Sequence, residues 1–138
     1  MTPPKIIFLD CDGVLNCKET IERHEGYIGL DPVRVERFKQ IVKQTEAGVV
    51  LSSTWRLTES WRQAVRDAGI MFIDITPDLR GQKRGDEINE WLSLHPEIKQ
   101  YAIIDDDPDF YLNQFLFQTT WEEGLTEDIA ARVIEFLK

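Results

Sequence analysis

Short, uninterrupted apolar runs alternate with helical patterns along the whole chain. The first run, Ile6–Leu9, contains no polar residue, and similar runs occur at Val49–Leu51 and Tyr101–Ile104. A strand that is apolar on both faces is typical of a parallel sheet with helices on both sides, because a half-exposed strand would alternate polar and apolar residues. The alternation therefore predicts an α/β fold built around a parallel sheet.

Two further runs and four amphipathic segments complete the pattern. Strands are also predicted at Ile70–Ile75 and Phe115–Phe117. Capping and stop residues, with Gly48 ending the first helix, place the helices at 32–47, 58–68, 84–94 and from about 126 to the end. The 138 residues suit one domain of ordinary size, so we expect a single domain over residues 1–138.

Charge and cysteine content narrow the function classes. The 16 basic and 25 acidic residues give a net charge of −9, which argues against a broad basic surface for duplex nucleic acid but leaves a local basic patch open. Cys11 and Cys17 are expected to be reduced thiols. With neither a membrane-length apolar stretch nor a signal-peptide pattern, the chain is predicted to be cytoplasmic, with no membrane association.

Acidic side chains follow two of the predicted strands. Asp10 and Asp12 come directly after the first strand, and Asp105 and Asp106 follow the fourth. The carboxyl ends of parallel strands share one edge of the sheet, so these carboxylates should crowd together if the two strands are neighbours. Such crowding raises a pKa or requires a cation, and an oxygen-only ligand set favours Mg²⁺. All four aspartates are therefore candidate Mg²⁺ ligands.

The first acidic pair can divide the work of phosphoryl transfer. One aspartate beside Mg²⁺ can attack phosphorus and form an aspartyl phosphate. The second carboxylate, turned another way by the bend at Gly13, can protonate the leaving oxygen and then take a proton from the attacking water. Gly13 permits the tight turn that follows the two aspartates and leaves room for the substrate.

Polar residues after the second strand and before the third helix could hold the phosphoryl group. A hydroxyl at Ser52 and a cation at Lys83 or Arg84 are the catalytic candidates, and Ser53 is the alternative hydroxyl. Arg56 is a candidate substrate-binding residue, which could bind phosphate or pair with a nearby acid.

Taken in order, these features resemble the haloacid dehalogenase-like (HAD) superfamily of phosphohydrolases. That pattern has a strand ending in D-x-D, a strand ending in Ser or Thr, a Lys or Arg before a helix, and a strand ending in paired acids. More narrowly, the chain resembles the small HAD domains related to RNA-repair proteins. The stretches that carry this likeness are "FLDCDGVLN", "VVLSSTWR", "RGDEINEWL" and "AIIDDD".

The resemblance implies a fold and a role for individual residues. The fold is a Rossmann-like three-layer sandwich with a five-stranded parallel sheet in the order 3-2-1-4-5. The implied roles are Asp10 as nucleophile, Asp12 as general acid and base, Asp105 as a Mg²⁺ ligand and Asp106 as an assisting ligand. The narrower likeness favours Arg84 as the phosphate-binding cation.

The predicted function is Mg²⁺-dependent hydrolysis of a phosphomonoester. Residues 16–30 and 76–83 are too few for a folded cap, so the site should be open and suit a large substrate such as a nucleic-acid end. His24, Tyr27 and Trp55 could contact it, whereas Trp61 and Trp121 are expected in the core or at its rim. The alternatives are a small-metabolite or nucleotide phosphatase and a non-enzymatic phospho-acceptor module; no obligate protein partner is evident.

Overall fold

The structure, a computed structural model, describes residues 3–138. It contains seven strands and four helices. The strands are β1 (Lys5–Leu9), β2 (Arg23–His24), β3 (Tyr27–Ile28), β4 (Gly48–Leu51), β5 (Asp74–Ile75), β6 (Gln100–Asp105) and β7 (Leu116–Gln118). The helices are α1 (Pro32–Thr45), α2 (Glu59–Asp67), α3 (Arg84–Ser93) and α4 (Glu127–Leu137), and a 3-10 turn spans Thr54–Leu57.

Five parallel strands form the central sheet in the order β5-β4-β1-β6-β7. Counted along the chain this is 3-2-1-4-5, so the predicted α/β class and strand order are confirmed. In the sheet register, Leu9 pairs with Leu51 on one side and with Ile104 on the other. The residues that follow these three are the polar Asp10, Ser52 and Asp105, so the register places the predicted catalytic and metal-binding side chains side by side.

Apolar residues of the central strands alternate between the two faces of the sheet. Ile7 and Leu9 pack in the core that α1, α2 and α4 cover. Ile6 and Phe8 face the opposite way and pack with Ile88 of α3. Burial on both faces explains why β1 lacks polar residues and yields the three-layer arrangement.

The predicted boundaries differ from the structure mainly at three places, and the other bounds agree to within one residue. Gly48 does not end the first helix but begins β4, and the left-handed residue after α1 is Glu46, with φ 57°. The strand predicted over Ile70–Ile75 is reduced to β5, because only its last two residues pair with β4 at the sheet edge. The fifth strand is Leu116–Gln118, one residue later than predicted, which leaves Phe115 exposed.

Residues 16–30 form a small hairpin rather than a domain. β2 and β3 pair antiparallel, with Arg23 opposite Ile28. Within residues 3–138 there is thus no folded cap, as predicted. Both cysteines are buried free thiols. No helix in the same range has the length and apolar character needed to cross a membrane.

Candidate active site

Three carboxylates meet beyond the carboxyl ends of β1 and β6. Asp10, Asp105 and Asp106 each offer an oxygen, and these oxygens all lie within 4.8 Å of one another. Asp10 is 5% exposed and Asp105 is fully buried. The register of β1 against β6 brings these residues together, because the backbone amide of Asp10 donates to the carbonyl of Ile104 at 3.1 Å.

A single guanidinium bridges two of these carboxylates. The Nη1 of Arg84, in the first turn of α3, lies 3.0 Å from Asp10 Oδ1 and 3.2 Å from Asp105 Oδ2. Lys83 is exposed instead, and its Nζ lies over the Tyr111 ring at 5.4 Å from the centroid. Of the two adjacent cations, the structure places Arg84 in the site and Lys83 outside it.

Burial makes the ionised carboxylates costly. It raises the pKa of Asp10 well above its ordinary value, the Asp105 charge raises it further, and Arg84 opposes both effects. Burial also raises the pKa of Asp105 from 3.8 to about 6, again against the lowering effect of Arg84. The single positive charge of Arg84 does not balance the three carboxylates, so the cluster has excess negative charge. A set of ligands made only of oxygen atoms fits Mg²⁺.

Gly13 leaves space for Asp106. Its φ is +79°, and an added Cβ would lie 2.1 Å from Asp106 Oδ2. The predicted tight turn is therefore present, but the room above it is filled by a carboxylate of the cluster and not left for substrate. The Gly13 amide donates to Asn16 Oδ1 at 2.8 Å, so the turn itself uses this donor.

Asp12 is held apart from the cluster. Its Oδ1 accepts a hydrogen bond from Asn16 Nδ2 at 2.9 Å, and its Oδ2 accepts one from Trp55 Nε1 at 3.1 Å. The Asp12 carboxylate is exposed and does not belong to the three-carboxylate group, so it is available for proton transfer. Its predicted role as a metal ligand stays a prediction, and its two hydrogen-bond donors were not foreseen.

The two candidate serines have different surroundings. Ser53 Oγ accepts from the backbone amide of Trp55 at 3.1 Å and caps the 3-10 turn. Ser52 directly follows β4, and its buried Oγ has no hydrogen-bond partner in residues 3–138. A buried hydroxyl without a partner is unfavourable by about 1–3 kcal/mol, which is understandable if a ligand oxygen supplies the missing bond.

Comparison with protein families identifies the domain. A family model described as "HAD domain in Swiss Army Knife RNA repair proteins" matches residues 6–130, most of the chain. The chain belongs to this HAD family. Membership indicates a phosphatase-type HAD domain, and HAD domains generally use Mg²⁺. No curated protein matches the chain.

Arg56 of this HAD domain is a structural residue, which corrects the prediction that it binds substrate. The side chain is 2% exposed, and its guanidinium nitrogens donate to four backbone carbonyls and to Glu87 Oε2, 3.0 Å from Nη2. The carbonyls are those of Ser52, Ser53, Thr76 and Pro77. Since these bonds use every donor, none remains for a phosphate.

An aromatic cleft of about 560 Å³ lies beside Asp12 in the HAD domain. Its lining residues come from the β2–β3 hairpin, the 3-10 turn, α2 and the segment after β7. They are Asp12, Tyr27, Ile28, Thr54, Trp55, Leu57, Thr58, Trp61 and Trp121. Trp61 and Trp121 were expected in the core or at its rim, and the structure shows that both help to form this surface.

Proposed function

We propose that this HAD domain is a Mg²⁺-dependent phosphatase that hydrolyses phosphomonoesters through an aspartyl phosphate on Asp10. The observation that carries the proposal is the meeting of Asp10, Asp105 and Asp106, the first two bridged by Arg84, with Asp12 held apart from them. Family membership supports the phosphatase class.

The chain's own groups account for both half-reactions. An Asp10 oxygen attacks phosphorus, and the bond from phosphorus to the leaving oxygen breaks as Asp12 donates its proton to that oxygen. Asp12 then accepts a proton from water, whose oxygen attacks the aspartyl phosphate and releases inorganic phosphate and free Asp10. Arg84 and Ser52 hold phosphoryl oxygens during both steps.

Asp10, Asp105 and Asp106 would hold the Mg²⁺ ion, which when bound supplies positive charge against the phosphoryl oxygens. The cluster fits this role because its buried carboxylates exceed the charge of the one guanidinium nearby. Neutralisation also favours the ionised form of Asp10, whose pKa burial raises, and only this form is a nucleophile.

For the substrate we propose a nucleic-acid end. The absence of a folded cap in residues 3–138 leaves the site open to a large molecule, and the matching family occurs in RNA repair proteins. The net charge of −9 favours a second candidate, a small nucleotide, because a long polyanion would be repelled.

The test is Mg²⁺-dependent phosphate release by wild type and Asp10→Asn. Substrates are a 3′-phosphorylated oligonucleotide, free nucleotides and sugar phosphates, each with Mg²⁺ or a chelator. We expect Asp10→Asn to lower turnover about a thousandfold or more without lowering the unfolding midpoint, since the nucleophile is lost. Asp128→Asn is the matched control, because Asp128 is an exposed carboxylate on α4.

Two results would contradict the proposal. Equal turnover by Asp10→Asn and wild type would exclude Asp10 as the nucleophile. A phosphoprotein that persists for hours with little phosphate release would indicate a phospho-acceptor module instead.

A further inference from the structure

The aromatic cleft is placed to receive the group that leaves with the substrate oxygen. Of the four aspartates at the site, Asp12 alone lines the cleft. A general acid must lie within hydrogen-bond reach of the oxygen that it protonates, which is about 3 Å. Whatever is bonded to that oxygen therefore lies beside Asp12, where the cleft opens.

We propose that this cleft is a nucleobase-binding subsite, which takes the base of the nucleotide that bears the phosphate. The inference rests on the proposed phosphatase function and adds the residues that select the substrate. Tyr27, Trp61 and Trp121 are the stacking residues, and Trp55 joins the subsite to the acid Asp12.

The chemistry of the lining favours a planar, uncharged ring. Tyr27 is 69% exposed and Trp121 is 37% exposed, so both present ring surface to a ligand. Stacking on an aromatic side chain strengthens binding by about five- to 150-fold per base and tolerates any base. The hydroxyls of Thr54 and Thr58 add hydrogen-bonding groups for a base edge or a ribose.

The charge of the lining argues against other occupants. Among the described residues of the cleft, Asp12 is the only charged one, so a run of backbone phosphates would find no cation there. A sugar phosphate has no flat aromatic ring to stack on the indoles, and the Thr54 and Thr58 hydroxyls could bond only part of its hydroxyl groups. The volume of about 560 Å³ is within the usual range of small-ligand sites and exceeds the needs of a single phenol ring.

The wall of the subsite is held in place before any ligand arrives. The Trp61 ring packs edge-on against Trp55 at 4.4 Å and against His24 at 4.5 Å between centroids. His24 Nε2 lies 2.9 Å from Ser60 Oγ and 3.1 Å from Glu25 Oε2, which fixes the ring that supports Trp61. Such a prearranged wall reduces the side-chain entropy lost on binding.

The experiment compares substrates and variants in one assay. Wild type, Tyr27→Ala and Trp121→Ala are given Mg²⁺ with adenosine 3′-monophosphate, acetyl phosphate, ribose 5-phosphate or phosphotyrosine. We expect wild type to prefer the nucleotide, and each variant to lower the ratio of kcat/KM for nucleotide over acetyl phosphate by about five- to 150-fold. Met71→Ala is the matched control, because Met71 is an exposed apolar residue that does not line the cleft.

A binding measurement separates recognition from turnover. Tryptophan fluorescence of Asp10→Asn should be quenched by adenosine 3′-monophosphate, and a 3′-phosphorylated decanucleotide should bind within about threefold of it, since only the last base enters the cleft.

The outcomes distinguish the two proposals. If wild type releases phosphate from none of the substrates, the proposed function is refuted, and so is the nucleobase subsite that rests on it. If it does release phosphate but both variants keep the wild-type ratio, or ribose 5-phosphate or phosphotyrosine is preferred, the subsite is refuted and the phosphatase stands.

Discussion

Replacing Arg56 separates a structural role from a substrate-binding one. Its guanidinium lies within hydrogen-bond distance of four carbonyl oxygens and of Glu87 Oε2. These partners connect the turn after β4 with the loop before α3, and Glu87 Oε2 also accepts from the Leu79 amide at 3.0 Å. Arg56→Ala should therefore leave buried carbonyl oxygens without this donor and the buried Glu87 carboxylate without its counter-charge.

The expected loss of stability is large. Removing one member of a buried ion pair destabilises by about 3–5 kcal/mol, because the remaining charge stays out of water. For a domain of this size the loss corresponds to a fall in Tm of roughly 10–20 °C. Arg56→Lys keeps the charge but not the planar fork, and should show a smaller fall in the same direction.

Urea unfolding followed by circular dichroism measures the effect, together with a double-mutant cycle using Glu87→Gln. We expect a coupling energy above about 1 kcal/mol, since the two groups contact each other. Arg80→Ala is the control: Arg80 is 94% exposed, so the change should be within about 0.5 kcal/mol. A wild-type unfolding midpoint for Arg56→Ala, combined with a raised KM, would show that Arg56 binds substrate after all.

Two further predictions concern the carboxylate cluster. Gly13→Ala should weaken Mg²⁺ binding in calorimetry by tenfold or more, because the Cβ would collide with Asp106 and φ is +79°; unchanged affinity would contradict the close approach. The pKa of Asp105 is about 6 when folded against 3.8 otherwise, so between these values the folded state holds more protons and metal-free stability falls as pH rises. Asp105→Asn should remove this loss, so that its free energy of unfolding exceeds that of wild type by up to about 3 kcal/mol at pH 7 and by little at pH 4. Urea titrations in the presence of chelator measure this difference, and a gain that does not depend on pH would contradict the prediction.

The positions of the central strands followed from local signals, whereas the strand order was implied by the resemblance to the HAD superfamily. The uninterrupted run at Ile6–Leu9 and the polar residues directly after it are properties of a few neighbouring positions, and parallel topology then brings the strand ends together. Boundaries at the sheet edge were less predictable, because β5 pairs on one side only and its length depends on β4.

The roles of Arg56 and Trp61 could not be inferred from neighbours in sequence. Arg56 finds its partners at Thr76 and Glu87, 20 and 31 residues further along the chain. Trp61 shares its cleft with Trp121, which lies 60 residues further along the chain. An apolar pattern indicates that such a ring is at least partly buried, but which surface it completes depends on the tertiary fold.

The two aspartates of the D-x-D sequence lie in different surroundings because the chain turns immediately after Asp10. The Val14 and Leu15 amides donate to the Cys11 carbonyl at 3.1 and 2.8 Å, which curls the backbone away from the strand direction. Asp10 consequently remains buried in the cluster, while Asp12 is exposed and accepts a hydrogen bond from Trp55 Nε1. Trp55 also lines the cleft, so a ligand in the cleft would contact the residue that orients the proposed acid, Asp12. In the proposed mechanism, substrate selection and proton transfer would therefore be coupled through one indole ring.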